Sequence, residues 1–171
     1  NNFKEYFKSY GEKVDENPSP GNKKGGITTL EDKSLGCVQK GGSAIVTDVI
    51  GYGERAKTPG LTLLQAPGND LVAANALAAA GVDMVLFTTG RGTPFSSPVP
   101  TVKISSNSRI AGFKEKWIDY NAGTLVEGDT MDAKAEDFFQ YLLAVASGEK
   151  HAKSESLDKH ELAIFKDGVT L

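Results

Sequence analysis

Residues Leu61 to Phe87 read in order as strand, capped helix and strand, a succession that few folds accommodate. Leu61-Thr62-Leu63-Leu64-Gln65-Ala66 is short and mostly apolar and is bounded by Pro67-Gly68, as a strand should be. Asn69 then offers a side-chain oxygen to the free amides of a helix predicted over Asp70 to Ala80. Asp70 suits the positive end of its dipole, and Gly81 closes it. Met84-Val85-Leu86-Phe87 is apolar without interruption, the composition of a central parallel strand covered on both faces. The spacing therefore predicts one right-handed βαβ unit in a single sheet.

The flanking sequence extends the alternation. Ala44 to Ile50 is β-branched and apolar, and Thr101-Val102-Lys103-Ile104 is a further strand. A helix capped near Ser106 or Asn107 follows, with Ile110, Phe113, Lys114, Trp117 and Ile118 at helical spacing. A long helix from about Asp132 to Ser147 carries Phe138, Leu142 and Val145 on one stripe and Phe139, Leu143 and Ala146 beside it. After a polar stretch, Glu161 to Phe165 and Val169-Thr170-Leu171 return as a terminal strand or docked tail. The expected fold is α/β and Rossmann-like, a mostly parallel sheet flanked by helices. A chain of 171 residues suits a single domain, with its β/α core in residues 43–171.

The amino-terminal part reads differently. Phe3, Tyr6, Phe7 and Tyr10 fall on one helical face, and the sequence starts inside that helix, so the chain is expected to be a piece of a longer polypeptide. Residues 17–42 are dense in proline and glycine and are expected to form a long structured loop. Within it Thr28 and Glu31 have the spacing of a capping box for a short helix that Gly36 would end, leaving Cys37 just past its terminus.

Composition narrows the function classes. A net charge of -3 and an isoelectric point near 5.4 provide no basic field for a phosphate backbone, so nucleic acid is not expected as a partner. No apolar run approaches the roughly 20 residues that cross a bilayer, and the single cysteine cannot form an internal disulfide. A cytoplasmic protein is expected, without membrane contact.

Three segments are candidates for the ligand crevice beyond the carboxyl ends of the strands. Thr88-Thr89-Gly90-Arg91-Gly92-Thr93-Pro94 combines glycines, hydroxyls and a guanidinium fork suited to a carboxylate or phosphate, or is simply a wide surface turn. Ala66-Pro67-Gly68-Asn69-Asp70 lies at a helix amino-terminus, where capping alone accounts for Asn69. Asp119-Tyr120-Asn121-Ala122-Gly123 either aims Asp119 or Asn121 into the crevice or is a turn. His151 and His160 lie in the polar tail without zinc-site spacing.

Together with Asn17-Pro18-Ser19-Pro20-Gly21-Asn22-Lys23-Lys24-Gly25-Gly26 and Thr28 to Cys37, these segments resemble the altronate and galactarate dehydratase family, in order and over most of the chain. The ending, Ile164 to Leu171, looks more like the altronate branch than the galactarate branch. The resemblance implies a hydro-lyase that removes water from a sugar acid, such as D-altronate, to give 2-keto-3-deoxy-D-gluconate. It also implies a divalent metal, Fe2+ or else Mn2+, and a longer polypeptide whose upstream part completes the active site, leaving the fragment alone inactive. Removing a proton beside a carboxylate requires electrostatic stabilisation of the resulting enediolate and an acid for the departing hydroxyl. Arg91 and Lys23 are the expected carboxylate binders, joined by Asn22, Thr89 and Asn121 at the substrate. Glu31 or Lys33 is expected in proton transfer, and Cys37 with Asp32 in or near the metal shell.

Each of these residues has a plainer alternative: capping for Glu31, solvated charge for Lys23 and Lys33, a small buried hydrophobe for Cys37. A non-catalytic module that binds an anion or builds an oligomer, including a homodimer, has the same fold-level support. A nucleotide-binding enzyme is disfavoured because neither a Gly-x-Gly-x-x-Gly nor a Walker pattern is present.

Overall fold

The structure, a computed structural model, describes residues 2–13 and 18–168. The expectations for Asn17 and for Val169-Thr170-Leu171 lie outside those residues. The chain divides into two compact units, residues 1–47 with 166–171 and residues 48–165.

In the smaller unit, helix α1 (Asn2–Ser9) brings Tyr6 edge-on to Phe7 and Tyr10, with ring centroids 6.1 and 5.1 Å away. The Gly168 amide donates to the Tyr6 hydroxyl at 2.8 Å. The Gly/Pro-rich stretch is not one loop, because it contains helices α2 (Pro20–Lys24) and α3 (Leu30–Lys40). α3 starts one residue later than the capping-box spacing predicts. Thr29 caps it by accepting from the Asp32 amide at 3.1 Å, which leaves Glu31 outside the cap. It also continues past Gly36. A glycine inside a helix costs roughly 1 kcal/mol relative to alanine, too little to end a helix that has a cap and an acidic first turn. Cys37 therefore lies within α3, not in a loop beyond it. Neither α2 nor α3 buries a residue.

In the larger unit, to which the last three residues of β1 (Val46–Ile50) belong, β1 pairs with β2 (Leu61–Leu64) as a two-stranded sheet. α4 (Asp70–Ala80) follows as expected, with Asn69 accepting from the Val72 amide at 3.2 Å and Gly81 closing the helix at φ 101°. β3 (Val85–Thr89), β4 (Thr101–Ser105) and β5 (Tyr120–Asn121) form a parallel sheet in that order. The expected βαβ unit is thereby corrected, since among the described residues no ladder joins β2 to β3 across α4. The central strand is β4, all five of whose residues are buried, whereas β3 is an edge that exposes Leu86.

α5 (Ser108–Phe113) ends well before Ile118, because Lys114 leaves helical geometry and its carbonyl takes the Trp117 and Ile118 amides in a turn. A 3-10 turn (Gly123–Val126), α6 (Met131–Ala146) and α7 (Lys153–Ser156) complete the elements. Val102, Ile104 and Tyr120 pack with Val145 and Ala152, covered by Phe138, Tyr141 and Leu142 of α6. On the other side Ala74 of α4 packs with Val85 and Phe95, and Phe95 meets Phe87 edge-on at 4.9 Å. Residues 161–165 form a docked tail instead of a strand. Glu161 donates its amide to the Ser96 carbonyl at 3.1 Å, and its carbonyl accepts from Asn75 at 3.2 Å. Among the described residues no helix is long and apolar enough to cross a membrane.

Candidate functional site

The parallel register brings the carboxyl ends of three strands to one rim, with Thr89 opposite Ser105 and Ser105 opposite Asn121. The Thr89 hydroxyl accepts from the amides of Arg91 (3.3 Å) and Gly92 (2.8 Å), which folds the Gly-Arg-Gly loop back over its own strand. Asn107 ties the next loop to it, its amide nitrogen donating to the Gly90 carbonyl at 3.1 Å and its oxygen capping α5 at the Ile110 amide at 2.9 Å. Asn121 donates to the Ser108 hydroxyl at 2.9 Å and accepts from the Gly123 amide at 2.9 Å. A Cβ at Gly123 would lie 2.4 Å from backbone atoms of Asn107 and Ser108, so only glycine allows this approach. Lys114 secures the far end by donating to the Gly92 carbonyl at 3.1 Å.

The rim is thus built by hydrogen bonds among polar loop residues. Thr89 and Asn121, two of the expected substrate binders, hold it together. Arg91 is different: it is exposed, and among the described residues its guanidinium has no ion-pair partner, so it is available to an anion. Asp119 does not face the rim. Its two oxygens accept the Lys103 and Lys153 amides, each at 2.7 Å, stapling β4, the start of β5 and α7 together.

Below the rim, the face of β4 shared with Phe87 carries Thr101, Lys103 and Ser105. Lys103 is 1% exposed. Desolvation lowers its pKa, opposed by the charges of Asp119 and Glu161 and reinforced by Lys159. Burial raises the pKa of Asp119, against the two amide hydrogen bonds it accepts. Ser97 completes this face with a 2.9 Å contact between its hydroxyl and that of Thr101.

The other expected site residues belong to the smaller unit. Lys33 reaches across from α3 to α2, donating to the Asn22 oxygen at 3.2 Å, and Ser19 donates to the same atom at 3.0 Å. Lys23, Glu31, Asp32 and Cys37 are exposed, and among the described residues the Glu31 side chain makes no hydrogen bond or ion pair. Asp32 and Cys37 sit on α3 at a spacing that does not place them on one face, since helical neighbours lie three or four residues apart. Among the described residues, no three His, Cys, Asp or Glu side chains are placed to share an ion. The donors among the described residues do not by themselves fit a metal centre.

A sequence model of the family described as D-galactarate/Altronate dehydratase, C-terminal, matches residues 1–170. The chain belongs to this dehydratase family. It is 59% identical to the altronate dehydratase of Escherichia coli strain K12 over 171 residues, which is 100% of this chain and 34% of that protein. Identity is also 59% over 172 residues with the altronate dehydratase of Bacillus subtilis strain 168, again 100% of the chain and 34% of the relative. With the galactarate dehydratase (L-threo-forming) of E. coli it is 37% over 152 residues, 87% of the chain and 29% of the relative. The chain therefore spans about a third of the length of the altronate dehydratases it matches.

Within this dehydratase family's carboxy-terminal region, the rim adds residues that sequence reasoning missed. Ser105, Asn107 and Ser108 were legible as a Ser-Ser-Asn-Ser run just after a strand, a place where hydroxyls and amides collect. Gly123 had no local signal, because its need for glycine arises from backbone 15 and 16 positions earlier in the chain.

Proposed function

We propose that the chain is the carboxy-terminal part of a hydro-lyase that dehydrates D-altronate to 2-keto-3-deoxy-D-gluconate. The observation that carries this reading is 59% identity over the whole chain to two altronate dehydratases, against 37% to a galactarate dehydratase. The rim supports it chemically: a preorganised set of strand-end loops beside an unpaired guanidinium suits a small carboxylate.

In this reading Arg91 binds the substrate carboxylate from the larger unit, on a loop held by Thr89 and next to the loops that Asn121 fixes. In the smaller unit, Lys23 and Asn22 are the groups proposed to bind substrate. Glu31, which the helix cap does not engage, is the stronger candidate for moving the proton beside the carboxylate, whereas Lys33 holds Asn22 in place. A divalent metal, Fe2+ or Mn2+, belongs to the proposal only with donors from elsewhere in the full-length polypeptide, joined by Cys37 or Asp32 but not by both.

The test is turnover by the full-length polypeptide with ferrous iron under reducing conditions. Altronate should yield a 2-keto-3-deoxy acid, with galactarate a poorer substrate. Absence of turnover with altronate would remove the reading, and this chain alone should show none. Replacing Arg91 by Ala should lower kcat/KM about 10- to 100-fold, through the loss of one charge-assisted hydrogen-bond pair.

A further inference from the structure

The docked tail is more open than its anchoring requires. Its residues alternate: Ala163 and Phe165 turn inward, Phe165 stacking edge-on to Tyr52 at 5.7 Å, while Leu162 and Ile164 are 78% and 75% exposed. This is the period of a strand. Glu161 and Phe165 use their amides, the latter donating to the Tyr52 hydroxyl at 2.7 Å. Between them, the backbone groups of Leu162, Ala163 and Ile164 have no partner among the described residues.

Beside the tail lies a cavity of about 470 Å³, lined by Tyr52, Asn75, Ala76, Ala79, Val99 and Ile164 among others. Its walls are almost entirely apolar apart from Asn75, which is 7% exposed. Both hydrogen bonds of Asn75 come from its nitrogen, to the Leu71 and Glu161 carbonyls. Its oxygen is buried without a partner, and leaving such an acceptor unpaired costs about 1–3 kcal/mol. An unpaired strand edge with an apolar cavity beside it is what an added extended peptide would satisfy, with main-chain hydrogen bonds along the edge and one apolar side chain in the pocket.

We infer that residues 161–165 form an open edge that receives an extended apolar segment from the remaining two thirds of the full-length dehydratase. The length of chain outside the structure selects this occupant. The altronate dehydratases that match all of this chain have only 34% of their length accounted for by it, which leaves about two thirds of such a polypeptide to pack against its open surfaces. The inference rests on the reading of the chain as part of such an enzyme.

The experiment uses the full-length protein with Ile164 replaced by a photo-crosslinking phenylalanine analogue, prepared as a mixture of isotopically light and heavy molecules. Illumination and peptide mapping should join position 164 to a peptide outside this chain and within the same molecule. In parallel, amide hydrogen exchange at 162–164 should be slowed at least about 100-fold relative to an unstructured chain, and that protection should fall about tenfold or more when Leu162→Asp and Ile164→Asp are combined. Crosslinks joining light to heavy molecules would assign the edge to a second copy and overturn the inference, as would unprotected amides. Altronate turnover by the unmodified protein reports on the proposed function separately. Turnover without the crosslink sinks only the docking edge, and the crosslink without turnover sinks only the substrate.

Discussion

The two faces of β4 are equally dry and chemically opposite. Val102 and Ile104 pack with apolar and aromatic groups, several of them from α6, whereas Thr101, Lys103 and Ser105 look the other way with a charge and two hydroxyls between them. The first face stabilises by area removed from water, about 25 cal/mol per Å². The second has to satisfy each polar group individually, because an unpaired one is costly at that depth. Ser97 answers Thr101, Asp119 and Glu161 offset the charge of Lys103, and the Ser105 hydroxyl donates to the Asn107 carbonyl at 2.7 Å. The polar face is also the one whose groups run upward into the rim, so the tightly matched side of the sheet is the one that supports the loops.

The contrast can be broken most forcefully on the apolar side. Ile104→Ala should destabilise by about 2–5 kcal/mol in urea titration, a cavity cost that does not depend on pH. On the polar side, Asp119→Ala orphans the Lys103 and Lys153 amides and should cost about 1–3 kcal/mol. A loss below the error of the titration would mean that those amides find other acceptors. Tyr120 belongs to both worlds, its ring among the apolar residues and its hydroxyl donating to Asp137 at 2.7 Å and to the Lys134 carbonyl at 3.1 Å. Tyr120→Phe should therefore cost only about 1 kcal/mol.

The smallest effect at neutral pH is expected from Lys103→Met, which removes both the desolvation cost of a buried amine and its attraction to Asp119 and Glu161, two contributions of opposite sign. Its signature is in the pH profile. Burial lowers the folded-state pKa of Lys103, so between that value and the unfolded value of about 10.4 the unfolded chain binds more protons. Stability contributed at this position must then rise with pH through that window. The methionine variant should lack that rise, and identical pH slopes for the two proteins would show that the amine reaches water.

How much of this was legible follows from where each signal resides. The Asn69 cap, the helix it starts and the Gly81 stop are local chemistry, and the structure places them where the residues predict. The choice of central strand is not local. Met84 to Phe87 has the more apolar sequence, yet β4 takes the middle position, where partners distant in the chain, Ser154 and Asp119, satisfy the Thr101 carbonyl and the Lys103 amide. Gly36 reads as a terminator only when its helix cost is taken without the cap and first-turn charges that outweigh it. At the rim, Thr89, Arg91 and Asn121 are legible as neighbours because they lie at or just past strand ends. Their division of labour, two that hold the rim and one that faces outward, depends on hydrogen bonds that no spacing encodes.

Gly123 touches the backbone of Asn107 and Ser108 with no side chain on either side of the contact. Nothing there can repack or rotate away. A codon library at that position should return a single permitted letter even under weak selection for folding, and an engineer altering the neighbouring loops inherits a fixed point around which every new geometry must turn.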